Sequence, residues 1–300
     1  MVIGITGRGL VSFLFCICVT IVVMRLNSNL AGNNSDSDEE NKISKSSAVG
    51  GPSEVRNNFS KLVEAYKKFR RDYPDQVYEL IYAFCDGKDS NVLDIGCGTG
   101  IVTNHLAKHY QKIIGIDKER EMVEAAQLEA GDNVEYVIGK VEDISYPDDS
   151  FDLVTAAAAY SWLDYDVAGK KIFKLLKNDG KLVVFYKSGK GITKRNIPEF
   201  AHLNFKKYFS GKAESGKEPI TADIFYRVGF TKVQFKELDL TEWYTKDEIL
   251  GFITSHSTFN LLSDEQKEKY MEENERSVSE CLIEGMFRFD YKVLMYLVEK

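Results

Sequence analysis

The stretch VLDIGCGTG, residues Val92 to Gly100, predicts the fold of this chain and the place of its ligand. Its apolar first half is typical of a short buried strand, and three glycines in G-x-G-x-G spacing are typical of the turn that leaves it. A helix is predicted from Ile101 to Tyr110, where apolar residues recur at helical spacing. A glycine turn lets a ligand approach the backbone closely, because no β-carbon intervenes. Asp94 at the strand end would face that ligand, which favours a cationic ligand group over a phosphate.

Further apolar segments, separated by helical patterns, predict four more strands of the same sheet. They are Lys112–Asp117, Val134–Gly139, Ser150–Ala159 and Lys181–Lys187, the last after a predicted turn at Asn178-Asp179-Gly180. Alternation predicts a sixth strand at Thr231–Leu238 and a terminal, antiparallel one from Phe287 onward. The expected fold class is therefore α/β: a Rossmann-like, doubly wound, mostly parallel sheet of seven strands with an antiparallel C-terminal strand and helical additions over the substrate side. Ligands of such sheets bind at the carboxyl ends of the strands.

Charge and cysteine content exclude two classes of function. The net charge is -7 and the isoelectric point is near 5.4, whereas nucleic-acid binding needs clustered Lys and Arg. Five cysteines are present, and no C-x-x-C pair or His/Cys cluster has the spacing of a metal site. We therefore expect neither a nucleic-acid partner nor a bound metal. The oligomeric state is left open.

The N-terminal segment predicts a membrane anchor. Leu10 to Met24 is mainly apolar and lies between Arg8 and Arg25, although a spanning helix usually has about 20 apolar residues. We interpret residues 1–26 as a retained signal anchor, residues 27–54 as a flexible polar tether and residues 55–300 as the folded domain. A cleaved signal peptide and a buried helix are the alternatives. The expected location is a single-pass membrane protein of the secretory pathway, or a secreted protein after cleavage, with the membrane side left open.

Two kinds of nucleotide ligand compete for the glycine turn. The dinucleotide fingerprint is G-x-G-x-x-G, which differs from the spacing found here. Asp117, at the end of the second strand, can accept hydrogen bonds from both hydroxyls of a ribose. Together with Asp94 opposite an ammonium group, it favours a nucleoside that carries an amino acid.

At these residues the chain resembles the class I S-adenosylmethionine-dependent methyltransferases. The resemblance includes the strand and glycine turn at Val92–Gly100, the acidic residue Asp117, and the segments Gly139–Val154 and Leu175–Val184 (LLKNDGKLVV). It implies S-adenosylmethionine as the cofactor, Asp117 at the ribose and Val141 with Glu142 beside the adenine. The full set of implied cofactor-binding residues is Asp94, Gly96, Cys97, Gly98, Gly100, Asp117, Lys118, Met122, Val141, Glu142 and Ala156.

Within that superfamily the chain resembles the methyltransferase type 11 branch that contains trans-aconitate methyltransferase-like proteins. Three segments are similar to signatures of that branch: FRRDYP (Phe69–Pro74), AYSWLD (Ala159–Asp164) and SHSTF (Ser255–Phe259). In them Arg71, Ser161 and His256 stand where the branch has proline, histidine and tryptophan, respectively. The resemblance implies a substrate side formed by Tyr73, Tyr160, Ser161, Trp162 and His256. Tyr66 and Tyr73 are candidates for a lid over the cofactor.

Methyl transfer needs little covalent help from the protein, since alignment in a water-poor pocket supplies much of the acceleration. A carboxylate acceptor needs no base and only a cation or a hydrogen-bond donor to position it. The catalytic candidates for this role are Arg70, Arg195 and His256, and Arg71 and Lys187 are further candidates. A phenol or amine acceptor would need a base, for which His256 is the best histidine. We expect methylation of a small molecule, at a carboxylate oxygen. The alternatives are a lipid or protein acceptor, and a cofactor-binding pseudoenzyme.

Overall fold

A computed structural model describes residues 63–189, 219–256, 259 and 262–300 of the chain. The predicted anchor at residues 1–26, the tether at 27–54, the first residues of the predicted domain and Arg195 lie outside the described residues. In the part of the chain that is described, no helix combines the length and the apolar composition needed to cross a bilayer.

Seven strands form one sheet in the order β3-β2-β1-β4-β5-β7-β6. Strand β7 runs antiparallel to both of its neighbours, and the strands from β3 to β5 pair in parallel. This arrangement confirms the predicted doubly wound sheet with an antiparallel last strand. The strands are β1 Asn91–Ile95, β2 Lys112–Asp117, β3 Val134–Ile138, β4 Phe151–Ala157, β5 Leu176–Gly189, β6 Lys232–Thr245 and β7 Met286–Glu299.

Helices cover both faces of the sheet, because the central strands are apolar on both sides and bury both. Consecutive residues of β1 show this: Val92 packs into one core cluster and Leu93 into the other. The helices are α1 (residues 63–69), α2 Asp75–Phe84, α3 Ile101–Leu106, α4 Arg120–Gln127, α5 Tyr165–Leu175, α6 Ala222–Val228, α7 Lys246–Thr254 and α8 Asp264–Glu280, with a short 3-10 helix at Tyr160–Trp162.

Three element boundaries differ from the predicted ones by more than two residues. Helix α3 ends at Leu106 instead of Tyr110. The predicted turn at residues 178–180 lies inside β5 as an irregularity: Asp179 has a φ of 63°, and the register with β4 shifts there. Strand β6 continues well past Leu238 to Thr245, because it pairs with β7 along its whole length.

Candidate active site

The glycine turn after β1 has left-handed backbone at all three glycines, with φ of 67° at Gly96, 54° at Gly98 and 85° at Gly100. A β-carbon at Gly96 would lie 2.4 Å from the Ala159 β-carbon, and one at Gly100 would lie 2.2 Å from a tyrosine hydroxyl. At Gly98 the nearest atom is the Tyr66 hydroxyl at 3.9 Å. The turn therefore leaves a gap beside Gly98, of the kind that lets a ligand approach the backbone.

Asp117, at the carboxyl end of β2, lies beside this turn. Its Oδ2 accepts a hydrogen bond from the Gly98 N–H at 3.0 Å, and its Oδ1 accepts one from the Glu119 N–H at 2.9 Å. Burial raises the pKa of the carboxyl group. Each oxygen retains acceptor capacity after these bonds, because an ionised carboxylate has about four acceptor positions. The geometry suits a group that binds the two hydroxyls of a ribose.

Asp94 is buried and held by hydrogen bonds within the fold, which the sequence did not indicate. Its side chain is 1% exposed, and it accepts hydrogen bonds from the Thr103 hydroxyl at 2.6 Å and the Thr155 hydroxyl at 2.7 Å. Burial raises its pKa to about 6. The carboxylate thus joins the end of β1 to α3 and β4. Its contact with a ligand ammonium group stays a prediction.

The remaining predicted cofactor residues lie at the same edge of the sheet. The Gly139 N–H donates to the Asp117 carbonyl at 2.9 Å, which brings the segment after β3 next to β2. In that segment Val141 is buried and Glu142 is half-buried. Of the others, Cys97 and Ala156 are buried, Met122 is half-buried on α4, and Lys118 is exposed in an ion pair with Glu119. The structure brings these residues together around one edge, and their contacts with a cofactor stay predictions.

Tyr160 is placed differently from the prediction. It is 1% exposed and packs in the core, 5.5 Å from the Tyr165 ring and 5.3 Å from the Phe225 ring. Its hydroxyl points toward α5, where a β-carbon at Gly169 would lie 3.5 Å from it. The 3-10 helix thus turns its ring into the core, and its place on the substrate side stays a prediction.

Ser161 and Trp162 are half-buried in the same 3-10 helix. Just before them, Ala158 is exposed and has a φ of 53°, which is an uncommon conformation for a residue with a side chain. Strained backbone of this kind concentrates at functional sites. The segment after β4 therefore stays a candidate for the substrate side.

Four residues from α1, α7 and the segments that follow them form what we call the aromatic mouth: Tyr66, Arg70, Phe252 and His256. The Arg70 guanidinium lies 5.2 Å from the centre of the Tyr66 ring and 4.7 Å from that of the Phe252 ring. Its Nε is buried without a hydrogen-bond partner, and among the described residues Arg70 forms no ion pair with a carboxylate. Since the Tyr66 hydroxyl is also the nearest atom to a β-carbon at Gly98, the aromatic mouth lies beside the glycine turn.

His256 is neutral at pH 7 in this setting. Burial, and then the positive charge of Arg70, lower its pKa to about 3. Its Nδ1 lies 2.9 Å from the Phe252 carbonyl oxygen, so the tautomer that fits carries its proton on Nδ1 and donates it to that carbonyl. The ring is therefore a weak proton acceptor, although it faces the same mouth.

Arg71 connects the segment after α1 to strand β6 and helix α7. Its Nη1 donates to the Trp243 carbonyl at 2.9 Å, its Nη2 pairs with Glu248 at 2.8 Å, and its guanidinium lies 3.9 Å from the centre of the Tyr244 ring. These contacts account for the arginine at the position where the resembling branch has proline. Arg71 is thus an anchor for the segment, with its charge already paired.

A polar cluster between β5, β6 and β7, which the sequence did not indicate, lies next to Tyr73. The Glu242 carboxylate accepts hydrogen bonds from the Tyr244 and Tyr291 hydroxyls and pairs with the Lys187 Nζ at 3.2 Å. Lys187 also donates to the Asp72 carbonyl at 3.2 Å and lies 5.3 Å from the centre of the Tyr73 ring. Burial lowers the pKa of Lys187; burial raises that of Glu242, but Lys187 and the two tyrosines outweigh it, so the net shift is downward. Lys187 was among the candidate cations, whereas Glu242 lies beyond the predicted end of its strand at Leu238.

Comparisons with known proteins agree with this geometry. Residues 93–184 match the methyltransferase domain family. A Dictyostelium discoideum protein named as a methyltransferase is 29% identical over 216 residues, which is 71% of this chain and 81% of that protein. An uncharacterized methyltransferase of Schizosaccharomyces pombe is 26% identical over 219 residues, 72% of this chain and 84% of that protein.

Among solved structures, phosphoethanolamine N-methyltransferase 2 of Haemonchus contortus, in complex with S-adenosyl-L-methionine, shares the fold. The TM-score is 0.52 at 18% identity, over 80% of this chain and 57% of that one. The predicted resemblance, fold and cofactor therefore agree with the sequence matches and with the glycine turn and Asp117 described above. These findings support an S-adenosylmethionine-dependent methyltransferase of class I, with the domain match at residues 93–184.

Proposed function

We propose that this enzyme methylates a carboxylate oxygen of a small acidic molecule. The observation that carries the proposal is Arg70, a half-buried cation held between the Tyr66 and Phe252 rings with no carboxylate partner among the described residues. An arginine fork binds a carboxylate through two parallel hydrogen bonds, and stacking between rings pre-orients that fork. An acidic acceptor would therefore be held at the mouth, beside Gly98.

Residues of the glycine turn and of the neighbouring strand ends fit the cofactor. When bound, S-adenosylmethionine supplies a methyl group on a sulfonium that a nucleophile can accept. Asp117 would bind the ribose hydroxyls, Gly96 to Gly98 would border the methionine part, and Val141 with Glu142 would border the adenine. Tyr66, over Gly98, would help to exclude water from the place where the reactants are aligned.

The state of His256 favours a carboxylate over a phenol or an amine. Phenols and protonated amines must lose a proton before they act as nucleophiles, and the best catalytic bases have a pKa near the working pH. The pKa of His256, lowered to about 3, is far from that range. A carboxylic acid is already ionised at pH 7, so it needs only orientation. Arg70, which has no carboxylate partner in the described part of the chain, and a weakly basic histidine together fit that acceptor.

The test replaces Arg70 and measures the acceptor and cofactor separately. Hydrogen bonds to a charged group are worth about 1.5–3 kcal/mol, so Arg70→Gln should raise the KM of an acidic acceptor about 10- to 150-fold. Because Arg70 does not contact the turn, the affinity for S-adenosylmethionine, measured by calorimetry, should change less than about threefold. Arg276→Gln, an exposed change on α8, is the matched control.

A panel of acceptors decides the chemical class. Transfer of a labelled methyl group would be followed to small mono- and dicarboxylic acids, phenols and amines, with fatty-acid vesicles and a protein extract as further arms. We expect base-labile methyl esters of the small acids. Labelling confined to amines or phenols, or an Arg70→Gln variant with unchanged KM for the acids, would contradict the proposal.

A further inference from the structure

The end of α1 packs directly on a glycine of α7. A β-carbon at Gly251 would lie 2.4 Å from two carbons of the Phe69 ring, far inside the 3.5–4.0 Å of normal contact. Gly251 is buried in the interior of α7, where glycine is a poor helix former. The contact gives a reason for a glycine at this position: no other residue leaves room for the ring.

Along the chain, Phe69 lies between Tyr66 and Arg70, the two residues of the aromatic mouth that come from α1 and the position directly after it. Tyr66 stands over Gly98, and the Arg70 N–H donates to the Tyr66 carbonyl at 2.9 Å, so the two share one backbone turn. On the other side of Phe69, Arg71 pairs with Glu248 of α7. The contact between the Phe69 ring and Gly251 is therefore at the centre of the interface between α1 and α7.

The opposite flank of α1 is tied to a different part of the fold. Lys67 pairs with Glu129, just after α4, at 2.6 Å. This pair is solvent-exposed at Glu129, and such pairs contribute little to stability. The close-packed contact at Gly251 is the more specific of the two constraints on the position of α1, because it tolerates no added atom.

We propose that Phe69 and Gly251 are positioning residues for methyl transfer: their contact sets where Tyr66 and Arg70 lie relative to the glycine turn. The role of Arg70 toward the acceptor rests on the proposed function above. The placement of α1 by this contact does not depend on it. Helix α7 thereby helps to define the acceptor site through α1.

The experiment is Gly251→Ala in the full chain. The added methyl group must displace the Phe69 ring by about 1 Å to regain normal contact, and misplacement by about 1 Å can reduce catalysis up to about 100-fold. We expect kcat/KM for the acidic acceptor to fall about 10- to 100-fold. We also expect faster hydrogen exchange of the Arg70 amide, which is bonded to the Tyr66 carbonyl. Since alanine is the better helix former, a merely structural glycine would predict no such loss.

A compensating change tests the contact itself. Phe69→Leu is smaller and more flexible, so the double variant Gly251→Ala with Phe69→Leu should recover at least about tenfold in kcat/KM and slow the Arg70 amide again. The matched control is Gly169→Ala, a buried helical glycine whose β-carbon would meet Val228 at 3.1 Å, away from α1. It should alter the melting temperature while leaving the acceptor KM and the Arg70 amide unchanged.

Two results would overturn the proposal: Gly251→Ala within twofold of the native enzyme in both kcat/KM and exchange, or a double variant no better than the single one. Failure of the proposed function has a different signature. In that case Arg70→Gln leaves the acceptor KM unchanged, while exchange at the Arg70 amide still rises in Gly251→Ala and is still reversed by Phe69→Leu.

Discussion

Asp117 shows how one side chain can organise a binding edge before a ligand arrives. Its two oxygens accept hydrogen bonds from the backbone of Gly98 and Glu119, so the carboxylate is fixed between the glycine turn and the start of α4. Groups held in this way lose little freedom when a ligand binds, which favours affinity. The polar edge at which the ribose is expected is therefore already formed.

Asp117→Ala should weaken the binding of S-adenosylmethionine about 10- to 150-fold. The change removes hydrogen bonds to an ionised acceptor, worth about 1.5–3 kcal/mol, and leaves two backbone N–H groups without their acceptor. Calorimetric titration measures the effect, with the exposed change Asp132→Ala as the control. An unchanged dissociation constant would mean that the ribose lies elsewhere.

At the scale of residues, the sequence indicated the glycine turn and Asp117 beside it, but not how the fold holds Asp94 and Tyr160. Asp94 lies near the end of an apolar strand, as a ligand-facing acid would, yet its oxygens accept hydrogen bonds from Thr103 and Thr155. The Tyr160 ring is likewise held inside the fold, because a 3-10 helix directs it into the core. Both outcomes depend in part on residues distant in the chain, Thr155 for Asp94 and Phe225 for Tyr160, which spacing does not reveal.

Strands β6 and β7 form the part of the sheet that carries the Glu242 cluster. The two strands pair from Lys232 with Glu299 to Thr245 with Met286. Their far end brings Glu242 and Tyr291 against Lys187 of β5, which in turn holds the Asp72 carbonyl. The cluster therefore joins three strands to the segment between α1 and α2.

Glu242→Gln should lower the free energy of unfolding by about 1–3 kcal/mol, because it weakens hydrogen bonds and an ion pair that lie largely out of solvent. Thermal unfolding would show a decrease of roughly 2–10 °C in the melting temperature. The matched control is Glu237→Gln on the same strand, since that carboxylate is more exposed in its pair with Lys292 and should cost little.

The pH dependence of this difference has a definite sign. The pKa of Glu242 is lower in the folded chain than its ordinary value of 4.5, so its ionised form stabilises the fold above that value and less so as the pH falls below it. The difference between the native chain and Glu242→Gln should therefore be full at pH 7 and shrink below pH 4.5. A difference that grows on acidification would contradict the assignment.

Among the elements, the number of strands and their succession along the chain followed from apolar runs and their spacing, whereas their order in the sheet is seen only in the structure. The strand lengths did not follow from those runs either, because length depends on pairing. Strand β6 extends to Thr245 only because β7 offers partners there, and residues 178–180 remain within β5 although Asn-Asp-Gly is a strong turn signal. Local preference was overridden in both places by neighbouring strands.

For the molecule as a whole, we propose that residues 1–26 attach the enzyme to a membrane. If they do, Ile17→Arg in the middle of the apolar segment should shift the full chain from the carbonate-resistant membrane pellet toward the supernatant, since a central arginine costs about 2.5–3.5 kcal/mol of insertion. Ser46→Arg in the polar tether should have no effect. Recovery of the native chain in the supernatant would contradict the anchor. The chain has two N-glycosylation sequons, Asn33-Asn34-Ser35 and Asn58-Phe59-Ser60, and a glycosidase shift at either would report the side of the membrane.

The strand order also bears on how the molecule is made. Strand β7 comes last of the seven along the chain but lies between β5 and β6. As the chain leaves the ribosome, β1 to β5 can pair first, whereas β6 waits for a later segment to join it to the sheet. The half that carries the glycine turn can thus form early, and S-adenosylmethionine that binds to it would stabilise a chain still being synthesised.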